Sequence, residues 1–234
     1  MFGRMLNPIG KRRRKSILVR TLMALGPLAI VAAIILSPSA LPTAHANGID
    51  GCAPSPASAC VVQTRTAQAN FSGVSGTTCP LHTDASVVAT RTVQHPGDTV
   101  SDELNVLIIE SDCNGLVEHA HNTDFTGTIR FAGVTTATVR GAATMVDTIS
   151  GASFTTTIDL TWQGSGTTVS GSSTSQTTVG NVIITTDDRI SFRFASVSGT
   201  LTNADGFNLA SLPVLAFHAS LKSDTKVTTV TPAT

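Results

Sequence analysis

Beyond residue 61 the chain alternates apolar and polar residues with a period of two, and no amphipathic helix of useful length follows. This pattern limits the fold more than any other feature, because period two places apolar side chains on one face of a strand. Five stretches carry it. Leu104, Val106 and Ile108 share one face; Phe125, Ile129 and Phe131 share a second, with Gly127 between them. Phe154, Ile158, Leu160 and Trp162 form a third, Ile190, Phe192 and Phe194 a fourth, and Leu215, Phe217, Ala219 and Leu221 a fifth. With no helix to cover them, these faces must be buried against one another. The residues between them are Thr, Ser, Asp and Arg, as in antiparallel sheets with one wet face. The reading is an all-β fold, an antiparallel β-sandwich, with a β-barrel as the alternative. Trp162 is expected in the core, and His218 is expected to point outward beside Phe217.

Turn signals stand at His95-Pro96-Gly97-Asp98, Cys113-Asn114-Gly115, Ser150-Gly151, Thr186-Asp187-Asp188 and Asn203-Ala204-Asp205-Gly206. Their spacing suggests about ten strands. The polar stretch 164–180 reads as a long hairpin with a solvated tip or as an edge strand.

The first 46 residues have a different character. Lys11-Arg12-Arg13-Arg14-Lys15 precedes an uncharged apolar run from Thr21 to Leu36, and Ala44-His45-Ala46 follows as a small-x-small cleavage pattern. This order is that of a secretory signal peptide, helical in its apolar run. Three segments are expected: a signal peptide over 1–46, a Pro/Ser/Ala-rich lead-in over 47–60 tied by a disulfide, and one all-β domain over 61–234. The expected location is extracellular. If the leader were retained, the chain would be anchored at its N-terminus and face outside, with no other membrane contact.

Seven of the 15 Lys and Arg residues fall in this leader and none of the 15 Asp and Glu does. Eight basic residues remain after it, a net charge of −7. Nucleic-acid binding needs a basic surface, so that class is excluded. The chain has no Tyr and one Trp, which argues against a sugar binder built on aromatic platforms.

Cys52, Cys60, Cys79 and Cys113 make an even count in an exported chain, which reads as two disulfides. Proximity favours Cys52–Cys60 and Cys79–Cys113. No CxxC pair suggests a thiolate metal site. One segment is dense in polar donors: Glu110, Asp112, Glu118, His119, His121 and Asp124 lie within 15 positions. On a strand, His119 and His121 share a face about 6–7 Å apart. Two imidazoles so placed can bind Zn or Cu if a third ligand arrives. Asp124 or Glu110 could supply a carboxylate, and His82, His95 or His218 a further imidazole. An ordinary solvated strand–turn–strand accounts for the same residues. No G-x-S-x-G elbow, EF-hand loop or distinctive carboxylate pair occurs. The reading therefore leans away from an enzyme, toward an interaction or structural domain with an extracellular or envelope partner.

Two further stretches, Ile158-Asp159-Leu160-Thr161-Trp162-Gln163-Gly164-Ser165-Gly166 and Phe192-Arg193-Phe194-Ala195-Ser196-Val197-Ser198-Gly199-Thr200, resemble segments of uncharacterised secreted bacterial proteins. In those, an LTWxGxG strand end precedes an FRFAxxSG strand. The resemblance covers roughly residues 100–230. It implies an exported β-domain and carries no site residues.

Overall fold

The computed structural model describes Ser55, residues 59–203 and residues 214–233. Eight antiparallel strands follow in chain order: β1 (Cys60–Ser75), β2 (Leu81–His95), β3 (Thr99–Asp112), β4 (Gly115–Ala132), β5 (Thr136–Asp147), β6 (Ser153–Val179), β7 (Val182–Asn203) and β8 (Val214–Pro232). Each pairs with its neighbours in sequence, and β1 pairs with β8, so a single sheet closes into a barrel. The all-β antiparallel class stands. The apolar face is buried by curling one sheet on itself, the barrel alternative, and not by stacking two sheets.

The interior follows the alternation. Leu104, Val106 and Ile108 of β3 are buried, as are Ile158, Leu160 and Trp162 of β6 and Ala219 and Leu221 of β8. Phe125, Phe131 and Phe154 pack against this core from its margins. The side chains of Leu215 and Phe217 lie outside the described residues. Opposite β6, the strands β1 and β2 present small residues: Ala67, Ala69, Ala85 and Ala89. That leaves room for Trp162, which is fully buried and donates its indole N–H to the Gln68 carbonyl at 2.9 Å. Gly127 faces Gly141 across β4 and β5, where a Cβ at 127 would fall 2.3 Å from the Arg140 carbonyl oxygen. The glycine anticipated between Phe125 and Ile129 is therefore required by close strand approach.

Two expectations are corrected. The Ile190, Phe192, Phe194 face does not enter the core: Ile190 is 37% and Phe194 56% exposed. Leu201 fixes the phase of β7 and is fully buried. Counting back in twos from it places Arg193 inside, opposite the buried Leu221, and Phe192 and Phe194 outside. The two rings pack edge-to-face at 5.1 Å, and Phe194 also meets the exposed His218 at 5.7 Å. Secondly, Thr186-Asp187-Asp188 is not a turn but lies within β7. The reversal comes at Gly180-Asn181, where Gly180 has φ +62°. Removing that turn and lengthening the strands accounts for eight strands instead of about ten. The turns at 96–98, after a cis His95–Pro96 peptide, and at 113–114 and 150–151 fall as expected. The stretch 164–180 is hairpin and edge strand at once.

Cys79–Cys113 is formed as anticipated and ties the β1–β2 turn to the β3–β4 turn. Closing a loop of 34 residues is worth about 4 kcal/mol on the chain-entropy model. Cys60 is buried, and its expected partner Cys52 lies outside the described residues. So do the signal peptide, nearly all of the lead-in and the 204–206 turn.

The sole Trp, in a chain without Tyr, makes intrinsic fluorescence a direct reporter of the interior. We expect blue-shifted emission in the native protein and a red shift coincident with loss of β circular dichroism on unfolding. Trp162→Ala should cost about 3–5 kcal/mol, read as a lowered denaturation midpoint.

Candidate functional site

The polar segment of β3 and β4 is built around turns. Asp112 accepts from the backbone N–H groups of Asn114 (2.7 Å) and Gly115 (3.1 Å), which hold its carboxyl below the usual range and fix the β3–β4 reversal. Asp147, at the end of β5, accepts from the Ser150 hydroxyl and from the N–H groups of Ile149, His119 and Ser150. These bonds, led by the hydroxyl, lower its pKa well below the ordinary carboxylate value. Thr148 donates its one hydroxyl proton to the His119 carbonyl at 3.0 Å, so the 2.8 Å contact with His119 Nδ1 has the ring as donor. His119 is thereby stapled to the β5–β6 turn.

His119 and His121 do share the outer face of β4, on either side of the buried Ala120. Their facing positions on β3 are Ile109 and Leu107, and His121 faces Val146 on β5. None of these can ligate a metal. Asp124 lies past a bulge and accepts from the Phe125 N–H at 2.8 Å. Glu110 accepts from the Thr83 hydroxyl at 3.1 Å, and His95 pairs with Asp98. Among the described residues no three His, Cys, Asp or Glu side chains converge as a metal would require.

A different part of the barrel is incomplete. Pairing of β3 with β4 ends at Leu107↔His121. Just beyond, the Asn122 side chain takes over: its Oδ1 accepts from the Val106 N–H at 2.6 Å and its Nδ2 donates to the Leu104 carbonyl at 2.8 Å. Past Asn122 the two strands separate. On the far side of β5, pairing with β6 stops at Thr136↔Gln163, while β6 runs on to Val179. Among the described residues, 165–179 therefore pair with β7 alone, apart from the bulged 166–168, and every one of them is exposed. This end holds two features: a free strand edge on β6, and an inner sheet face on which Arg65, Arg91 and Arg193 lie in phase with buried core residues.

The outer face here also carries a close carboxylate pair. Burial and the neighbouring Asp224 raise the pKa of Asp188, opposed by Lys226 and Lys222. Asp188 faces Lys226 across the β7–β8 seam.

No protein-family model matches the chain, and no curated protein matches it. Among solved structures it is similar to the enduracididine biosynthesis enzyme MppR complexed with the condensation product of pyruvate and imidazole 4-carboxaldehyde. That match has 10% identity and a TM-score of 0.27, and covers 78% of this chain and 90% of the other. The same enzyme complexed with pyruvate matches at 9% identity and a TM-score of 0.26, covering 79% and 92%. A likeness at this level assigns neither family nor activity.

A raised carboxylate pKa means the ionised form is disfavoured in the folded state. Asp188 therefore weakens the fold above its shifted pKa, and that effect disappears as pH falls below the unfolded value. Asp188→Asn should raise Tm at pH 7, and the gain over wild type should shrink toward pH 3, measured by thermal unfolding across that range.

Proposed function

We propose that the chain is exported and works outside the cell as an association module, pairing the free edge of β6 with the same edge of a second copy. The leader supports the address, and so does the resemblance to secreted β-proteins. The observation that carries the association is the edge itself. Residues 165–179 present unpaired backbone groups along fifteen exposed positions without a charged residue or proline. Strand edges are normally blunted by Lys, Pro, bulges or coverage, because an open edge templates pairing. Here a bulge falls between Ser165 and Val169, and the edge beyond it is continuous to Val179.

A second copy fits this edge in a specific way. In an antiparallel two-fold pairing centred on Thr174, Val169 of each copy faces Val179 of the other. Both valines are exposed, at 65% and 56%, and an even spacing puts them on one face. The uncharged edge brings no like charges together, and an isologous two-fold contact closes after two chains.

The test is sedimentation equilibrium of the protein exported from its full-length precursor. A concentration-dependent dimer is expected for wild type. Val169→Lys/Val179→Lys should be monomeric with little change in Tm, since both sites are solvent-facing. A wild type monomeric at every concentration, or a variant that still dimerises, would refute the reading.

A further inference from the structure

The inner sheet face at the open end carries positive charge that the fold does not balance. Arg65 on β1 and Arg91 on β2 are direct cross-strand partners. Both are in phase with buried residues, Arg65 with Ala67 and Ala69, Arg91 with Ala89 and Val87, so both side chains project into the barrel mouth. Directly opposed like charges on one sheet face are unfavourable. One carboxylate is at hand: Asp102, facing Arg91 from β3, forms a two-pronged ion pair with it, Oδ1 lying 2.9 Å from Nε and Oδ2 accepting from Nη2 at 3.2 Å. Among the described residues Arg65 has no carboxylate partner. Its one hydrogen bond is to the Gln63 side-chain oxygen at 2.9 Å, and its Nε is shielded from water without an acceptor. On the other side Arg65 faces Ser223 of β8, which faces Ser191 of β7. Arg193, two residues along β7, adds a third guanidinium to this face and donates its Nε–H to the Gly166 carbonyl at 3.0 Å. Among the described residues at the level of the mouth, three arginines thus stand against one aspartate, with Arg189 and Asp187 farther along the same face of β7, in a chain that is net acidic beyond residue 46.

We infer that the Arg65–Arg91 pair is a binding site for an oxyanion, a phosphate or carboxylate group seated on the Arg65 guanidinium and the Arg91 Nη1 that Asp102 does not engage. Facing residues on paired strands hold their Cβ atoms about 5 Å apart, within which two guanidiniums can converge on one anion. Below lie the buried Ala67, Ala89, Leu104 and Leu221. This apolar floor strengthens charge pairing, and its two alanines leave depth at the mouth. Above, the Arg91 and Asp102 side chains remain 30% and 32% exposed, so the site is open to solvent. The anion site depends on charge placement inside the mouth and is independent of pairing at the β6 edge.

The same chemistry could come from a free anion or a lipid headgroup, and the experiment separates them. Inorganic phosphate and citrate are titrated into the exported protein at constant ionic strength, with chloride as the reference, following Tm and the ³¹P resonance. Vesicles of phosphatidylcholine with and without phosphatidic acid form the second arm. A saturable response to phosphate or citrate marks a free-anion site. Binding confined to the phosphatidic acid vesicles marks a headgroup site. In either case Arg65→Gln and Arg91→Gln should weaken binding at least about tenfold, as loss of one charge-assisted fork requires. Arg130→Gln, on the exposed outer face of β4, should leave it unchanged. Without ligand, Arg65→Gln should hold or raise Tm, because it relieves the facing charge. Wild type silent in both arms, arginine variants that bind like wild type, or a collapse of Tm in Arg65→Gln would each overturn the inference.

Discussion

Everything in this structure depends on the pairing of β1 with β8. A chain that buries apolar residues on one face of each strand, with no helix to cover them, has to turn that face on itself. The β1–β8 ladder does this over Cys60↔Thr228 to Gly73↔Val214, and the first and last strands cease to be edges there. Closure then sets the size of what fits inside. Four alanines on β1 and β2 offset the bulk of Trp162, whose indole reaches across from β6 to a β1 carbonyl. Small opposite large is what native packing density demands of a narrow barrel.

Closure is not uniform along the barrel. At the end bearing the Cys79–Cys113 bridge, turns held by Asp112 and Asp147 finish the strands tightly. At the other end β3 leaves β4 and β5 stops short of β6. Asn122 marks where the ladder gives out, its amide standing in for the next pair of backbone groups. The free β6 edge and the arginine-lined mouth both follow from that early divergence. Strand edges and unbalanced charge are ordinarily removed from a fold. The proposed pairing edge and the proposed anion site both lie at this end.

Much of the fold was legible because period two is a direct consequence of strand geometry. Leu104-Val106-Ile108 and Ile158-Leu160-Trp162 read correctly because their apolar and polar positions alternate without ambiguity. Phe192-Arg193-Phe194 misled because alternation alone cannot say which face is inside. A one-residue change of phase inverts every side chain, and Leu201, which sets the phase, lies seven residues beyond Phe194. Asp187-Asp188 looked like a turn, yet Asp187 accepts from the Thr174 hydroxyl of β6 and Asp188 faces Lys226 of β8, so cross-strand partners hold both within β7. The His119-His121 cluster was placed correctly on one face of a strand. Its cross-strand neighbours Ile109, Leu107 and Val146 depend on register, which no local pattern contains. Arg65 and Arg91 were missed for the same reason. Each sits in phase with an alanine or valine run, but only the pairing of β1 with β2 sets them opposite each other.

Amide hydrogen exchange resolved along the chain tests the central claim, a barrel closed through β1 and β8 with an open edge on β6. In dilute protein, β1 and β8 should be as protected as β2, while alternate amides of residues 165–179 exchange fast, and these should gain protection as concentration rises. Rapid exchange along β1 or β8 would contradict closure, and uniform protection of residues 165–179 at every concentration would contradict the free edge.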